Sequence, residues 1–534
     1  MEFEKYLKST EKNKRILIYE PGGWEAITNK SGTFGKILER RGASPILSFC
    51  DGVISNACIQ RADDESQNIE NWNKKCTKCA SKILKSINKN LNIPSISTSE
   101  LINSTDLHDI NKFVADAKST NLYPTQFFNG IDVGSFAANS LKRHLKNNLS
   151  IDPANLLKNQ EDRELFYAYL RTAVTNTVYC LKLLPHFDKL ITSHGNGWVD
   201  YGPCVSVAKK LGVKVYFWNS GFEPGSHYLS DSTGNQLGPF KLKPSKVHVE
   251  IATEKVKKFL HSRYLTQNSL DRTKDSVEEE NITDYIAGLD PSINLKKIAR
   301  REQIFSFSKK KIADVCEIDS NKPLVVIFEH LLWDSWIGST SLNFKSIEQW
   351  TTDLLNIASK NLDFNFILKS HPRDQIIREA GNKIRSKNVI AWNDVKVKST
   401  KSKSICDLDL LFAFDLGVTM FGTIGIEFPT LGKNIITCEE SFYSDCGFTQ
   451  YVKNFEELNL AVNTLAKKKL SEDTRQSAIR YAYAYFFEKP IFFNWQKRDH
   501  HKNFNHKNIA HLWAIRKTFN DDFYSGLLTP DMFK

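Results

Sequence analysis

FNFILKSHPRDQ (Phe364–Gln375) and DLGVTMFGTIGIEFPTLGKNII (Asp415–Ile436) decide how this chain is read. Each opens on an apolar run of strand length. The first then passes into Lys369-Ser370-His371-Pro372-Arg373, the second into Thr419, Gly422 and Thr423. Short apolar runs without alternation are strands buried on both faces of a parallel sheet. In open α/β sheets, ligands bind at the carboxyl ends of such strands. A His and an Arg at one strand end, with a Thr/Gly helix start at another, suit a phosphate. A nucleotide-linked substrate is the expectation.

The same rhythm extends in both directions. Arg15–Tyr19 reads as a strand closed by a glycine turn at Gly22 and Gly23, then a helix over Phe34–Arg41 and a strand over Ser44–Cys50. Leu165–Leu184 reads as a long helix. Lys189–Thr192 is a strand, His194–Pro203 a glycine-rich turn, Val205–Leu211 a helix and Val213–Trp218 a strand. Further strands follow at Pro323–Phe328, Asn365–Leu368, Val389–Trp392, Leu416–Met420 and Asn434–Thr437. The expected organisation is an amino-terminal Rossmann-like domain over 1–255 and a linker with some helix over 256–315. A carboxyl-terminal Rossmann-like domain follows over 316–475, then aromatic-rich packing helices over 476–534.

Composition narrows the class. At 534 residues the chain exceeds what one core accommodates. No apolar run approaches the length of a membrane-spanning helix, and the charged start MEFEKYLKSTEKNKR lacks the apolar core of a signal peptide. A cytoplasmic location is expected, where the 10 cysteines need not pair. The net charge of +12 suits an acidic partner, such as a nucleotide sugar, an anionic glycan or an anionic inner membrane face, or is simply a solvated surface. Lys and Arg are spread out with no aromatic interleaving, so no nucleic-acid partner is expected.

Two Rossmann-like domains facing each other across a cleft is the architecture of GT-B glycosyltransferases. Pro323–Thr449 resembles bacterial enzymes of capsule and surface-polysaccharide biosynthesis through FEHLLWDSW (328–336), Phe344, Trp350, KSHPRD, GTIGIEFPTLGK and YSDCGFT (443–449). FCDGVISNAC (49–58), CTKC (76–79), FNGIDVGSFAANSLKR (128–143) and DKLITSHGNGWVDYGP (188–203) carry the resemblance into the first half. Relatives with a His-Pro dipeptide at this position include Kdo transferases and sialyltransferases, which use CMP-activated sugars. The resemblance therefore implies a CMP-linked donor and a glycan or glycolipid acceptor. An NDP-sugar transferase, a nucleotide-sugar epimerase of the same architecture and a catalytically silent glycan-binding assembly protein are the alternatives.

Glycosyl transfer places negative charge on a departing phosphate, which fixed donors must meet. His371 would donate to it, Pro372 would fix the turn, and Lys369 and Arg373 would clamp the charge. Thr419, Thr423 and the amides after Gly422 would cradle the phosphate, with Glu427 toward a sugar or ribose hydroxyl. On the acceptor side His194 follows a strand, where a general base must stand, and Asp132 is its rival. Asp200, Glu20 and Glu25 stand behind them, Gly22 and Gly23 would admit the acceptor, and Asp334 would face the ligand or cap a helix.

Two features compete with metal sites. Asp407-Leu408-Asp409 precedes a strand and so lies on the wrong sheet edge for the metal-binding DxD it resembles. Cys50, Cys58, Cys76 and Cys79 would suit zinc or an iron–sulfur cluster, but their first spacing is wide for a zinc ribbon. Helix-packing cysteines, and no cofactor beyond the nucleotide-sugar substrate, are the expectation.

Overall fold

The computed structural model describes residues 2–21, 23–54, 57–62, 69–120, 126–145, 160–195, 197–220, 226–230, 244–268, 295–330, 343–344, 347–369, 371, 389–391, 410, 412–488 and 490–492. These fall into two compact units. The first takes the described residues up to 240 and those from 490, the second those of 241–332 and 340–489. Each is built on its own mainly parallel sheet flanked by helices, so the fold is α/β with two Rossmann-like units. No helix among the described residues is long and apolar enough to cross a membrane.

In chain order the first unit has strands β1 (Arg15–Tyr19), β2 (Ser44–Phe49), β3 (Ser95–Ser97), the paired β4 (Phe127–Phe128) and β5 (Ile131–Asp132), β6 (Lys189–Thr192), β7 (Lys214–Ser220) and β8 (Ser226–Ser230). Its seven-stranded sheet runs β15-β8-β7-β6-β1-β2-β3, where β15 is Ile491–Phe492. The strands from β7 through β3 are parallel, while β8 and β15 are antiparallel additions. β1 shows why the four positions Ile16–Tyr19 are buried apolar or aromatic residues. Ile16 and Ile18 pack with Phe34, Leu47 and Trp218 on one face, while Leu17 and Tyr19 pack with Ile46, Leu170 and Leu190 on the other. The helix Glu25–Arg40 lies close enough that a Cβ on Gly35 would fall 2.5 Å from Ile18 Cδ1.

The second unit has β9 (Leu324–Phe328), β10 (Asn365–Lys369), β11 (Val389–Ala391), β12 (Leu416–Thr419), β13 (Asn434–Thr437) and β14 (Gln450–Tyr451). They form one parallel sheet in the order β11-β10-β9-β12-β13-β14. Phe328, Phe414 and Phe428 pack as a ring cluster, with Phe414 and Phe428 centroids 5.1 Å apart. The helix Glu472–Tyr483 packs on the helix Ile424–Thr430 and on Val249–Asn268. It starts where Ser471 Oγ accepts the Thr474 amide proton and buries Tyr481. Phe493, Trp495 and residues 269–294 lie outside the described residues.

Candidate active site

In each sheet the strand order reverses once. Strands β1, β2 and β3 run outward to one side of β1, and β6 begins the other side; β9, β10 and β11 run to one side of β9, and β12 begins the other. At such a switch point the two flanking connections leave in opposite directions and open a crevice at the strand ends. The crevices therefore belong to the residues after β1 and β6, and to those after β9 and β12.

After β1 comes Glu20, only 2% exposed. After β6 come Ser193 and His194. Glu20 accepts hydrogen bonds from the Ser193 amide at 3.0 Å, Ser193 Oγ at 2.7 Å, Ser31 Oγ at 2.8 Å and the Tyr201 hydroxyl at 3.2 Å. Ser193 Oγ also lies 2.7 Å from His194 Nδ1. Burial outweighs these four donors and pushes the Glu20 carboxyl up to about 7. A serine hydroxyl carries one proton, so the chain Glu20–Ser193–His194 has two ordered states. With Glu20 ionised, Ser193 donates to Glu20 and His194 Nδ1–H donates to Ser193, which puts the ring's basic lone pair on Nε2. With Glu20 protonated, the direction reverses and the basic lone pair is lost from Nε2. Lys30, on the helix Glu25–Arg40, feels the Glu20 charge, yet burial still brings its ammonium down to about 8.

Aromatic rings surround the half-buried imidazole. Trp24 stacks on His194 at 5.4 Å, Tyr201 lies 4.7 Å away and Trp198 5.8 Å. The Arg143 guanidinium covers Trp198 at 4.5 Å. Flat apolar faces beside a hydrogen-bonding imidazole are chemistry that holds a sugar ring.

The other sequence candidates of this unit are engaged differently. Asp132 is the N-cap of the helix Val133–His144, taking the Ser135 amide at 3.1 Å and the Ser135 hydroxyl at 2.6 Å. Asp200 is fully buried and accepts the Ile59 amide proton at 2.7 Å, and burial pushes its carboxyl up to about 7. Glu25 is exposed on the first turn of its helix. Gly23 has φ +70°, and a Cβ there would lie 2.4 Å from Cys79 Sγ, so this glycine makes room for a cysteine. Gly22 lies outside the described residues.

In the second unit, Glu329 and His330 follow β9, Lys369 ends β10 with His371 just beyond it, and Phe421, Gly422 and Thr423 follow β12. The Glu329 amide bonds the Lys369 carbonyl at 3.0 Å, so the pairing with β10 continues one residue past the end of β9. His330 packs edge-on against Phe421 at 4.5 Å, directly over the switch point. Thr419 Oγ1 accepts the Gly422 amide proton at 3.3 Å. The amides of Gly425 and Ile426 bond the carbonyls of Gly422 and Thr423, both at 2.9 Å. That start is thus partly closed on itself, and Glu427 is buried beneath it near Tyr443. Lys369 and His371 are half-buried at the same edge. Pro372, Arg373, Asp334, Asp407 and Asp409 lie outside the described residues.

Sequence reasoning assigned no role to Ser193, Ser31, Glu329 or His330. The available signal was positional, since Glu329-His330 follows Leu324–Phe328 just as His371 follows β10.

No family model matches the chain, and no curated protein matches it. Among solved structures it is similar to a UDP-GlcNAc 2-epimerase from Neisseria meningitidis at 11% identity and TM-score 0.24, covering 88% of this chain and 95% of that one. It is also similar to the beta Kdo 2,7 transferase KpsC of Thermosulfurimonas dismutans at 15% identity and TM-score 0.27, covering 61% and 85%. A third is the wall teichoic acid polymerase TagF, at 9% identity and TM-score 0.25, covering 99% and 94%.

Proposed function

We propose that the chain is a glycosyltransferase of GT-B type. It would move a sugar from a nucleotide donor, CMP-linked and Kdo- or sialic-acid-like, to a growing capsule or surface glycan. The reading places it in the cytoplasm, with its positive charge toward nucleotide sugar and an anionic inner membrane face. Donor binding falls to the second unit, where Lys369, His371 and Arg373 would meet the phosphate charge without a divalent cation. Thr419, Gly422 and Thr423 would border the phosphate and Glu427 would support the turn. Acceptor binding falls to the first unit.

The observation that carries this reading is the Glu20–Ser193–His194 chain at the β1/β6 switch point. His194 Nε2 would take the acceptor's hydroxyl proton as the glycosidic bond forms. The resulting imidazolium keeps its Nδ1–H on Ser193, whose hydroxyl remains directed at ionised Glu20. The three residues so arranged would set the tautomer, and the aromatic rings would orient the acceptor.

The test pairs calorimetric nucleotide binding with transfer to a glycan acceptor. CMP, and not UDP, should stabilise the protein. His194→Ala should leave CMP affinity nearly constant and cut transfer by about 10² or more. His371→Ala should reduce both. Loss of nucleotide binding in folded His194→Ala would move the donor to the first unit. If no nucleotide binds at all, a silent glycan-binding protein becomes the better description.

A further inference from the structure

The amino edge of the first unit's sheet, away from the His194 crevice, is rich in cations. The adjacent strands β6 and β7 begin at Lys189 and Lys214, which are direct register partners. Like charges side by side on neighbouring strands weaken the sheet that carries them. Burial and the Lys214 charge hold the Lys189 ammonium below its ordinary value, although Asp188 pulls the other way. Asp188 is itself bridged to Lys12 at 3.4 Å. The helix Gly202–Lys210 ends at the same edge, only three residues before β7, and its last turn adds the exposed Lys209 and Lys210. Crowded charge of one sign opposes the compact state, and an anionic partner relieves it.

Two large apolar side chains stand out among these lysines. Phe127 is 60% exposed, and Leu211, directly after Lys210, is 42% exposed. Phe127 is held in place by its hairpin. The turn between β4 and β5 is Asn129-Gly130, with φ +49° and +73°, the tight two-residue kind. Phe128 packs edge-on against Phe113 at 5.1 Å and anchors the hairpin from its other face. Lys210 Nζ donates to the Asn129 carbonyl at 2.6 Å, which ties the hairpin to the helix end that carries Leu211.

The chemistry of the patch selects its partner. Nucleic acid is met by arginine forks and by rings on which bases stack, whereas these cations are lysines and Leu211 stacks on no base. Anionic headgroups over acyl chains match both features. They supply charge for the ammonium groups and an apolar layer, one side chain deeper, for Phe127 and Leu211.

We propose that this edge docks on an anionic lipid bilayer, with Lys189, Lys209, Lys210 and Lys214 against the headgroups and Phe127 and Leu211 inserted between them. Docking there turns the opposite, carboxyl edge of the sheet, with Glu20 and His194, away from the lipid. The inference rests on the membrane-facing charge of the reading above and uses none of its sugar chemistry. Vesicle binding and glycosyl transfer can therefore fail separately.

The full chain is mixed with vesicles of phosphatidylcholine alone, or of phosphatidylcholine and phosphatidylglycerol in equal parts, and bound protein is separated by flotation. Wild type should float with the anionic vesicles and not with the neutral ones, and added salt should release it. Lys209→Glu combined with Lys214→Glu should weaken the partition by about tenfold or more, and Phe127→Ser by several-fold. Lys258→Glu combined with Lys453→Glu, the same charge change made in the second unit, should bind as wild type does. Equal flotation with neutral vesicles, or none with anionic ones, overturns the proposal. So does an equal loss in the second-unit pair, which would reduce the effect to net charge. Single-stranded RNA that binds through the same lysines and strips the protein from anionic vesicles would give this edge to nucleic acid instead. The wild-type comparison of the two vesicles decides the matter even if a variant fails to fold.

Discussion

Glu20 is a carboxyl whose environment is divided against itself: four donors favour its charge, while burial opposes it and brings it up to about 7. Its ionisation sets the tautomer of His194 through Ser193, so the proposed base is competent only when Glu20 is charged. Transfer by the wild type should therefore rise with pH through about 7. Glu20→Gln should lower turnover by roughly 10²–10⁴ and flatten that limb, while CMP affinity holds. An unchanged pH–rate profile in Glu20→Gln would remove the relay from the mechanism. At this scale the sequence is legible only where position alone speaks. His194, after an apolar strand, can be chosen as a base without coordinates. Ser193 reads as a turn residue, and its tie to Glu20 spans 173 positions, a relation no local pattern carries. Asp132 looks the same in sequence whether it caps or catalyses, and the structure finds it capping its helix through Ser135.

Strands are the part of this fold that sequence reports best, because a strand buried on both faces has no polar position to confuse its reading. β1, β6 and β13 span Arg15–Tyr19, Lys189–Thr192 and Asn434–Thr437, the same bounds their apolar runs suggest. The peripheral strands β3, β8, β14 and β15 carry SIS, SHYLS, QY and IF, too short or too polar to register; neighbouring strands order them. The helix Glu25–Arg40 starts well before the expected Phe34, since its first turns are polar and hold Ser31 against Glu20. Close contact between that helix and the sheet rests on Gly35, while Gly32 faces Leu91 of the helical segment Ser86–Leu91. A Cβ at Gly35 would meet Ile18 Cδ1 at 2.5 Å and Ile93 Cδ1 at 2.7 Å. Gly35→Val should destabilise the first unit by about 1–3 kcal/mol, read as a lower urea midpoint. A midpoint equal to wild type would show that the helix yields without loss.

Over the whole molecule, three buried carboxyls share one direction. Burial raises Glu20 from 4.5, Asp200 from 3.8 and Glu439 from 4.5, each to about 7. Between those ordinary values and about 7 the folded state binds more protons than the unfolded one, so stability falls as pH rises. His186, held low by burial and Arg15, opposes this weakly below 6.5. The urea midpoint should thus be lower at pH 8 than at pH 5.5, by a few kcal/mol in free energy, and Glu20→Gln should shrink the difference. A midpoint that climbs over this range would contradict the burial of these groups. The sheet order carries one more consequence, for the timing of synthesis. β8 ends at Ser230, yet its outer partner β15 begins at Ile491, and the second unit lies in the chain between them. A ribosome adding roughly 5–20 residues per second leaves that edge uncapped for on the order of tens of seconds. During that interval a nascent chain offers its neighbours an open antiparallel edge. Translational pausing inside the second unit should therefore lower the yield of soluble protein.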